Sequence, residues 1–261
     1  MSLSRRQVTL AALAAVPLRL GGRKDRTLYI AGDSTAAQKY IPEAPETGWG
    51  MALPFFLRKG VKVSNQAVNG RSSKSFVDEG RLDAILADIR PGDLLLIQFA
   101  HNDEKIADPI RYTEPWTTYQ DYLRMYIDGA RGRGARPVLA TPVERRRFDV
   151  DGNALPTHGD YPGAMRALAQ QERVALLDIE ALSLALWQRL GVEETKVYFN
   201  WTDTEQDNTH FNPPGAIAVA RLVARELLRT RVLASREFVR LHDEIPPSWI
   251  TWPEASDASD A

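Results

Sequence analysis

The sequence predicts an α/β fold in which helices cover a parallel β-sheet, and two observations carry that prediction. Five short apolar runs rich in Val, Ile and Leu lack strict alternation with polar residues, as is typical of strands buried on both faces. Stretches with apolar residues at helical spacing separate these runs, and crossover helices of this length produce parallel βαβ units. A chain of 261 residues that is 44% hydrophobic can bury the core of one large domain.

The five predicted strands are each bounded by Gly, Pro, Asn or Asp. They cover Thr27–Ala31, Val61–Val68, Asp93–Ala100, Arg136–Val143 and Val174–Ile179. Ligand sites in open parallel sheets form outside the carboxyl ends of the strands. We therefore expect chemistry in the segments that directly follow these runs.

The predicted helices lie between and after the strands. Apolar residues recur at helical spacing around Ile85, Tyr126 and Leu168. A last amphipathic helix is predicted from Ile217 to Leu228, with two prolines just before it, where proline is tolerated.

The composition excludes several classes of function. With 33 basic and 34 acidic residues the formal charge is −1, so no overall charge draws the chain to nucleic acid. The absence of cysteine excludes disulfides, thiolate metal ligands and a cysteine nucleophile. The four histidines show no paired ligand spacing on one element, so no metal site is predicted. No glycine-rich phosphate-binding loop supports a nucleotide-binding protein of this fold.

Residues 1–26 are typical of a targeting segment. Arg5 and Arg6 precede an apolar run from Val8 to Leu18, which is shorter than the roughly 20 residues of a membrane span. This pattern predicts a signal peptide, with paired arginines typical of twin-arginine export, and hence a periplasmic or secreted protein. The alternative is a disordered extension of a cytoplasmic protein. We predict a folded domain over residues 27–231 and a C-terminal extension over 232–261 that packs on it, with a frayed acidic tail.

Polar residues follow the first three strands. Ser34 comes directly after the first strand, and Gly70 follows the second, where glycine lets a backbone N–H approach a ligand closely. His101, Asn102 and Asp103 follow the third strand. Taken singly, the Ser34 segment is more typical of a helix cap, and the other two are equally consistent with a tight turn and a buried polar cluster.

Asp207 and His210 lie three residues apart, just before the last predicted helix. In a turn, these two side chains can form a hydrogen bond that orients the imidazole and stabilises its cationic form. Such a pair serves as the acid–base part of a serine hydrolase triad, although polar loops also contain these residues by chance.

Four segments, which contain Ser34, Gly70, Asn102 and the Asp207–His210 pair, form the four blocks of this sequence. Together they resemble the SGNH (GDSL) hydrolases, in which the same residues occur in the same order. Gly32-Asp33-Ser34-Thr35, Gly70-Arg71-Ser72-Ser73 and Asp207-Asn208-Thr209-His210 are most similar to the rhamnogalacturonan acetylesterase branch, and the resemblance covers about residues 27–230. It implies a flavodoxin-like three-layer α/β sandwich with a five-stranded parallel sheet. It also implies a serine esterase that deacetylates a pectic polysaccharide such as rhamnogalacturonan, or a related plant cell-wall carbohydrate, without a cofactor.

The resemblance assigns roles to individual residues. It implies Ser34 as the nucleophile, His210 as the general base and Asp207 as the residue that orients His210. The oxyanion hole would consist of the backbone N–H groups of Ser34 and Gly70 and the side-chain amide of Asn102.

Four further residues are expected to contact substrate: Arg71, His101, Arg145 and Arg146. Three consecutive arginines, 145–147, follow the fourth strand, and guanidinium groups match the carboxylates of a pectic chain. The alternative is a solvated basic turn that neutralises the neighbouring carboxylates, and His101 has the alternative role of bracing Asn102.

Other functions on the same site remain open at this point. An acetylxylan esterase, a lipase or a thioesterase would use the same residues, although the charged loops argue against the large apolar acyl pocket of a lipase. A non-catalytic carbohydrate-binding protein is the alternative from another class, disfavoured because all four blocks are intact. The expected partner is an acetylated polysaccharide or oligosaccharide, with neither nucleic acid nor a membrane span, and the sequence leaves the oligomeric state undetermined.

Overall fold

A five-stranded parallel sheet forms the centre of the protein in a computed structural model, which describes residues 25–255. Its strands are β1 (Arg26–Gly32), β2 (Val61–Asn65), β3 (Leu94–Gln98), β4 (Arg136–Ala140) and β5 (Ala175–Leu177). The strand order is β2-β1-β3-β4-β5, which is the flavodoxin-like order, so the predicted sheet is confirmed. Strands β2, β3, β4 and β5 end two or three residues before their predicted ends; after β2 and β3 the chain leaves the sheet to form the loops that carry Gly70 and Asn102.

Both faces of the sheet are buried. Along β3, Leu94 and Leu96 belong to one apolar cluster, and Leu95 and Ile97 belong to a second cluster on the opposite face. Because every residue of β3 is buried, this strand is a continuous apolar run in the sequence rather than an alternating one.

Seven α-helices complete the layers of the described chain. They are α1 (Trp49–Ala52), α2 (Ser73–Asp78), α3 (Arg81–Asp88), α4 (Gln120–Gly132), α5 (Tyr161–Glu172), α6 (Ile179–Glu194) and α7 (Pro213–Arg229). Apolar side chains of α1, α6 and α7 lie in the cluster with Leu94, and those of α2 to α5 lie in the cluster with Leu95. The three-layer prediction is confirmed, and α7 begins at the prolines that the sequence placed at its start.

The sheet order creates a crevice at one edge. The chain leaves β1 for β2 on one side and later returns to β3 on the other side, so the connections diverge at the carboxyl ends of β1 and β3. Ser34 is the second residue after β1 and Asn102 follows β3, and both therefore lie at this crevice.

A separate antiparallel pair lies outside the main sheet and corrects one prediction. β6 (Phe199–Trp201) pairs with β7 (Gln206–Phe211), so Asp207 and His210 lie within a strand rather than in a simple turn. The pairing shifts between Phe199 opposite Phe211 and Trp201 opposite Gln206. One residue of β6 therefore faces residues 207–210 of β7, which form a bulge.

The chain beyond the central domain is described only in part. Residues 232–255 contribute Phe238, Ile245 and Ile250 to the same core cluster as α7, and Phe238 forms a β-bridge with Leu57. The predicted leader, apart from residues 25 and 26, and residues 256–261 of the acidic tail lie outside the described residues. No helix in residues 25–255 is long and apolar enough to cross a membrane.

Candidate active site

The carboxylate of Asp33 shapes the turn that presents Ser34. Asp33 Oδ1 accepts hydrogen bonds from the backbone N–H of Thr35 at 2.9 Å and from its hydroxyl at 2.7 Å. The Asp33 carbonyl accepts two further bonds, from the backbone N–H groups of Ala36 and Ala37. Asp33 is fully buried, whereas Ser34 is 9% exposed, so the turn fixes the serine at the floor of an open crevice.

His101 lies beneath this turn. Its Nδ1 is 3.2 Å from Asp33 Oδ2, and its ring meets the edge of the His158 ring at a centroid distance of 4.4 Å. Burial lowers the pKa of His101 to about 4, so at neutral pH the neutral ring donates its Nδ1–H to Asp33. Burial opposes ionisation of Asp33, but His101 and the Thr35 donors outweigh it and lower the pKa of Asp33 to about 2.

The Ser34 and Gly70 backbone N–H groups make no hydrogen bond within residues 25–255. Gly70 has a φ of +75°, a conformation that an L side chain rarely adopts, and this backbone turn follows β2 at the same sheet edge. Two donors at this edge are therefore available to a ligand.

The Asn102 amide is held in a defined orientation. Asn102 Oδ1 accepts a hydrogen bond from Lys105 Nζ at 2.8 Å, which directs the amide nitrogen the opposite way. Asn102 Nδ2 donates to the Arg71 carbonyl at 3.0 Å and retains a second N–H. The loop after β3 is thereby joined to the loop after β2, beside Gly70.

Asp103 ties the same two loops together beneath the surface. Its carboxylate accepts hydrogen bonds from the Ser73 N–H at 3.1 Å and from the Thr113 hydroxyl at 3.0 Å, and the residue is fully buried. Burial raises the pKa of Asp103 to about 7. Since Ser73 is the first residue of α2, this carboxyl fixes the start of that helix relative to Asn102.

Asp207, His210 and Ser34 form a continuous line of hydrogen bonds. Asp207 Oδ2 lies 2.6 Å from His210 Nδ1, and His210 Nε2 lies 2.8 Å from Ser34 Oγ. The bulge brings the Asp207 and His210 side chains together. Asp207 Oδ1 also accepts hydrogen bonds from the backbone N–H groups of Thr209 and His210. With His210 neutral and its Nδ1–H given to Asp207, the Ser34 hydroxyl donates to Nε2.

A buried lysine that the sequence did not predict lies beside this line. Lys39 is fully buried; its ammonium forms an ion pair with Glu46 and donates a hydrogen bond to Asn69 Oδ1 at 2.6 Å. Burial opposes protonation of His210, but Asp207 and the charge of Glu46 outweigh it and raise the pKa of His210, while Lys39 acts in the opposite direction. A lysine in a polar stretch of sequence is normally predicted to be exposed to solvent. Lys39 can therefore be recognised as part of this site only from its burial in the fold.

The residues expected to contact substrate are placed differently from one another. His101 is 4% exposed and pairs with Asp33, so it lies beneath the crevice and neither reaches its surface nor braces Asn102. The Arg71 guanidinium is directed to Glu79. Arg145 pairs with Glu104, and Arg146 lies against the bulge of β7, with both side chains lining one cavity. In the described range, no group of three or more His, Asp or Glu side chains is arranged to hold a metal ion, and the predicted independence of a cofactor stays a prediction.

A model of the GDSL-like lipase/acylhydrolase family matches residues 30–216, which contain all four blocks. The chain belongs to this family. The predicted membership of the SGNH (GDSL) hydrolases is therefore confirmed. The rhamnogalacturonan acetylesterase branch is confirmed as well, by two curated relatives.

Two relatives within the family come from Bacillus subtilis (strain 168). Rhamnogalacturonan acetylesterase RhgT is 44% identical over 211 residues, covering 77% of this chain and 89% of that protein. Probable rhamnogalacturonan acetylesterase YesY is 46% identical over 198 residues, covering 76% of this chain and 90% of that protein.

Solved structures agree with the fold. The crystal structure of the Bacillus subtilis protein YxiM superposes with a TM-score of 0.71 at 32% identity, covering 80% of this chain and 57% of that chain. The acetylxylan esterase Axe2 of Geobacillus stearothermophilus superposes with a TM-score of 0.54 at 14% identity, covering 81% and 97% of the two chains. At this identity Axe2 shares the fold with the present chain.

Proposed function

We propose that the chain is a serine esterase that removes acetyl groups from acetylated rhamnogalacturonan. The chemical part rests on one observation, the hydrogen-bonded line from Ser34 Oγ through His210 to Asp207, at 2.8 and 2.6 Å. The substrate part is supported by the names of the two relatives at 44% and 46% identity.

The first half-reaction acetylates the serine. Ser34 Oγ attacks the acetyl carbonyl carbon while His210 Nε2 takes the hydroxyl proton, and the carbonyl oxygen becomes an oxyanion. The free N–H groups of Ser34, Gly70 and Asn102 would donate to this oxyanion as its charge develops. His210 then gives the proton to the departing sugar hydroxyl, which leaves an acetyl ester on Ser34.

The second half-reaction releases acetate. A water molecule attacks the acetyl carbonyl and gives its proton to His210, which returns a proton to Ser34 Oγ as the ester bond breaks. Asp207 keeps His210 in the tautomer with its proton on Nδ1 and stabilises the imidazolium that forms in both halves.

The direct test compares acetate release from acetylated rhamnogalacturonan, acetylated xylan and p-nitrophenyl acetate. We expect all esterase activity to need Ser34, with a loss on the order of 10³- to 10⁶-fold in Ser34→Ala. Ser235→Ala is the matched control, because Ser235 is exposed and distant in sequence from the four blocks. Of the two polysaccharides, we expect the acetylated rhamnogalacturonan to be deacetylated with the higher kcat/KM.

The outcomes separate the two parts of the proposal. Equal or faster deacetylation of xylan would contradict the substrate assignment and leave the serine mechanism standing. Full activity in folded Ser34→Ala would contradict the mechanism itself.

A further inference from the structure

A basic cavity adjoins the catalytic bulge. It has a volume of about 470 Å³ and opens to solvent. Its lining consists of Arg145, Arg146, Arg147, Phe148, Thr157 and Asn208. Its walls thus bring the three consecutive arginines that follow β4 together with one residue of the Asp207–His210 bulge.

Arg146 is a buried and pre-oriented guanidinium in this cavity. The residue is 8% exposed, and its guanidinium carbon lies 4.5 Å from the centre of the Trp201 ring and 5.6 Å from that of Phe148. Its donors reach neutral oxygens, including Thr195 Oγ1 at 3.1 Å and Asn208 Oδ1 at 3.0 Å. Within residues 25–255 no carboxylate lies within ion-pair distance of this guanidinium. The charge of Glu193 acts on it from farther away, but the Glu193 carboxylate itself pairs with Lys196.

Arg147 adds a second cation that is available to a ligand. Its side chain is exposed and makes no hydrogen bond or ion pair within the described part of the chain. Arg145 differs, because its guanidinium already pairs with Glu104. The nearby Asp149 carboxylate accepts bonds from the N–H groups of Asp151 and Asn153 in its own loop. The charge of Arg147 is therefore available to an anion, and the charge of Arg146 is offset only from beyond ion-pair distance, by Glu193.

The cavity is joined directly to the acid–base pair. The Arg146 backbone N–H donates to the Asn208 carbonyl at 2.8 Å, and Asn208 lies one residue after Asp207 and two before His210. An anion held in the cavity would therefore rest on the same short segment that positions His210 against Ser34.

We propose that this cavity binds the carboxylate of a uronic acid residue in the sugar chain that carries the acetyl group. The inference rests on the proposed function, because it assumes a carbohydrate ester at Ser34. Guanidinium groups bind carboxylates through paired N–H donors, and the Phe148 ring offers an apolar face to a sugar. The subsite gives a physical reason for choosing an acidic polysaccharide over a neutral xylan backbone, which has no carboxylate to fill it.

Arg147→Gln is the discriminating variant, because Arg147 has no partner in the described chain whose loss would disturb the fold. The measured quantity is the ratio of kcat/KM for acetylated rhamnogalacturonan oligosaccharides to kcat/KM for p-nitrophenyl acetate. We expect this ratio to fall at least about fivefold in Arg147→Gln, and added salt to lower it in the wild type. Arg133→Gln is the matched control, since Arg133 is exposed just after α4, at the opposite edge of the sheet, and should leave the ratio unchanged.

A binding measurement makes the test independent of polysaccharide turnover. Galacturonic acid should inhibit hydrolysis of p-nitrophenyl acetate by the wild type more strongly than its methyl ester, and this difference should shrink in Arg147→Gln. An unchanged substrate ratio in Arg147→Gln, or equal inhibition by the acid and the ester, would overturn the carboxylate subsite. Failure of the wild type to hydrolyse p-nitrophenyl acetate would instead count against the proposed function, so the two failures are distinguishable.

Discussion

The two halves of the candidate site are held in place by different means. Ser34, Gly70 and Asn102 lie on loops that follow strands of the main sheet. The buried carboxylates of Asp33, through His101, and of Asp103, through Ser73, tie those loops together. Asp207 and His210 lie instead on a bulge of β7, outside the main sheet, with side chains 20% and 28% exposed.

The difference matches what each half would do in the proposed reaction. Donors that stabilise a developing oxyanion must be fixed in advance, which suits loops anchored in the core. The residue that moves protons contacts the nucleophile, the leaving group and water in turn, which suits a partly exposed bulge. We therefore expect the first half to be coupled to the stability of the fold and the second half to be coupled mainly to activity.

Among the variants that test this difference between the two halves, Asp207→Ala should have the largest effect on activity. We expect kcat to fall about 10³- to 10⁴-fold, because His210 loses the group that fixes its tautomer. The free energy of unfolding, measured by urea denaturation, should change by less than about 1 kcal/mol, since the pair is partly exposed. A large loss of stability in Asp207→Ala would break the contrast.

Asp103→Ala is the counterpart in the core-anchored half. Removing this carboxylate leaves the Ser73 N–H and the Thr113 hydroxyl buried without an acceptor. We expect the free energy of unfolding to fall by at least about 2 kcal/mol. An unchanged urea midpoint would show that the buried carboxylate does not anchor these loops.

Asn102→Ala tests whether the orientation of the amide serves the oxyanion. We expect kcat to fall about 10²- to 10³-fold with a smaller change in KM, because the donor meets full negative charge only in the transition state. Arg111→Gln is the control, as Arg111 contacts Asn102 Oδ1 at 3.5 Å but supplies no donor in the proposed oxyanion hole. Equal losses in both variants would indicate a structural role for Asn102.

The smallest expected effect is a shift of the pH profile. The proposed base must be neutral, and the pKa of His210 is raised by Asp207 and Glu46 against the effect of burial, so kcat/KM should rise with pH through a pKa above the ordinary histidine value of about 6.5. Glu46→Gln removes a negative charge that favours the imidazolium, and it should move this limb to lower pH. Lys39→Met removes a positive charge and should move the limb to higher pH. Shifts in the same direction would show that these charges do not act on His210.

The sequence predicts the core-anchored half better than the bulge. Ser34, Gly70 and Asn102 follow apolar strands, and in a parallel sheet strand ends alone bring such residues to one edge. Asp207 and His210 were predicted as a pair in a turn, whereas the structure places them in β7. That placement depends on the register of β7 against β6, which a single sequence does not reveal.

Contacts between distant polar side chains account for what the sequence did not predict. His101 pairs with Asp33, 68 positions earlier, and Lys39 is buried in an ion pair with Glu46, although lysine is almost never enclosed in a core. The three arginines were predicted to face the cleft or to form a basic turn. In the structure the three side chains have different surroundings: Arg145 forms an ion pair, Arg146 is buried against Trp201, and Arg147 is exposed.

Covalent labelling tests directly whether Ser34 is a nucleophile activated by His210. The protein is treated with a serine-reactive fluorophosphonate, and intact mass and peptide mapping locate the adduct while residual esterase activity is followed. We expect one adduct on the peptide that contains Ser34, loss of activity in proportion to labelling, and strongly slowed labelling in folded His210→Ala. An adduct on another residue, or full activity in completely Ser34-labelled protein, would contradict this role of Ser34.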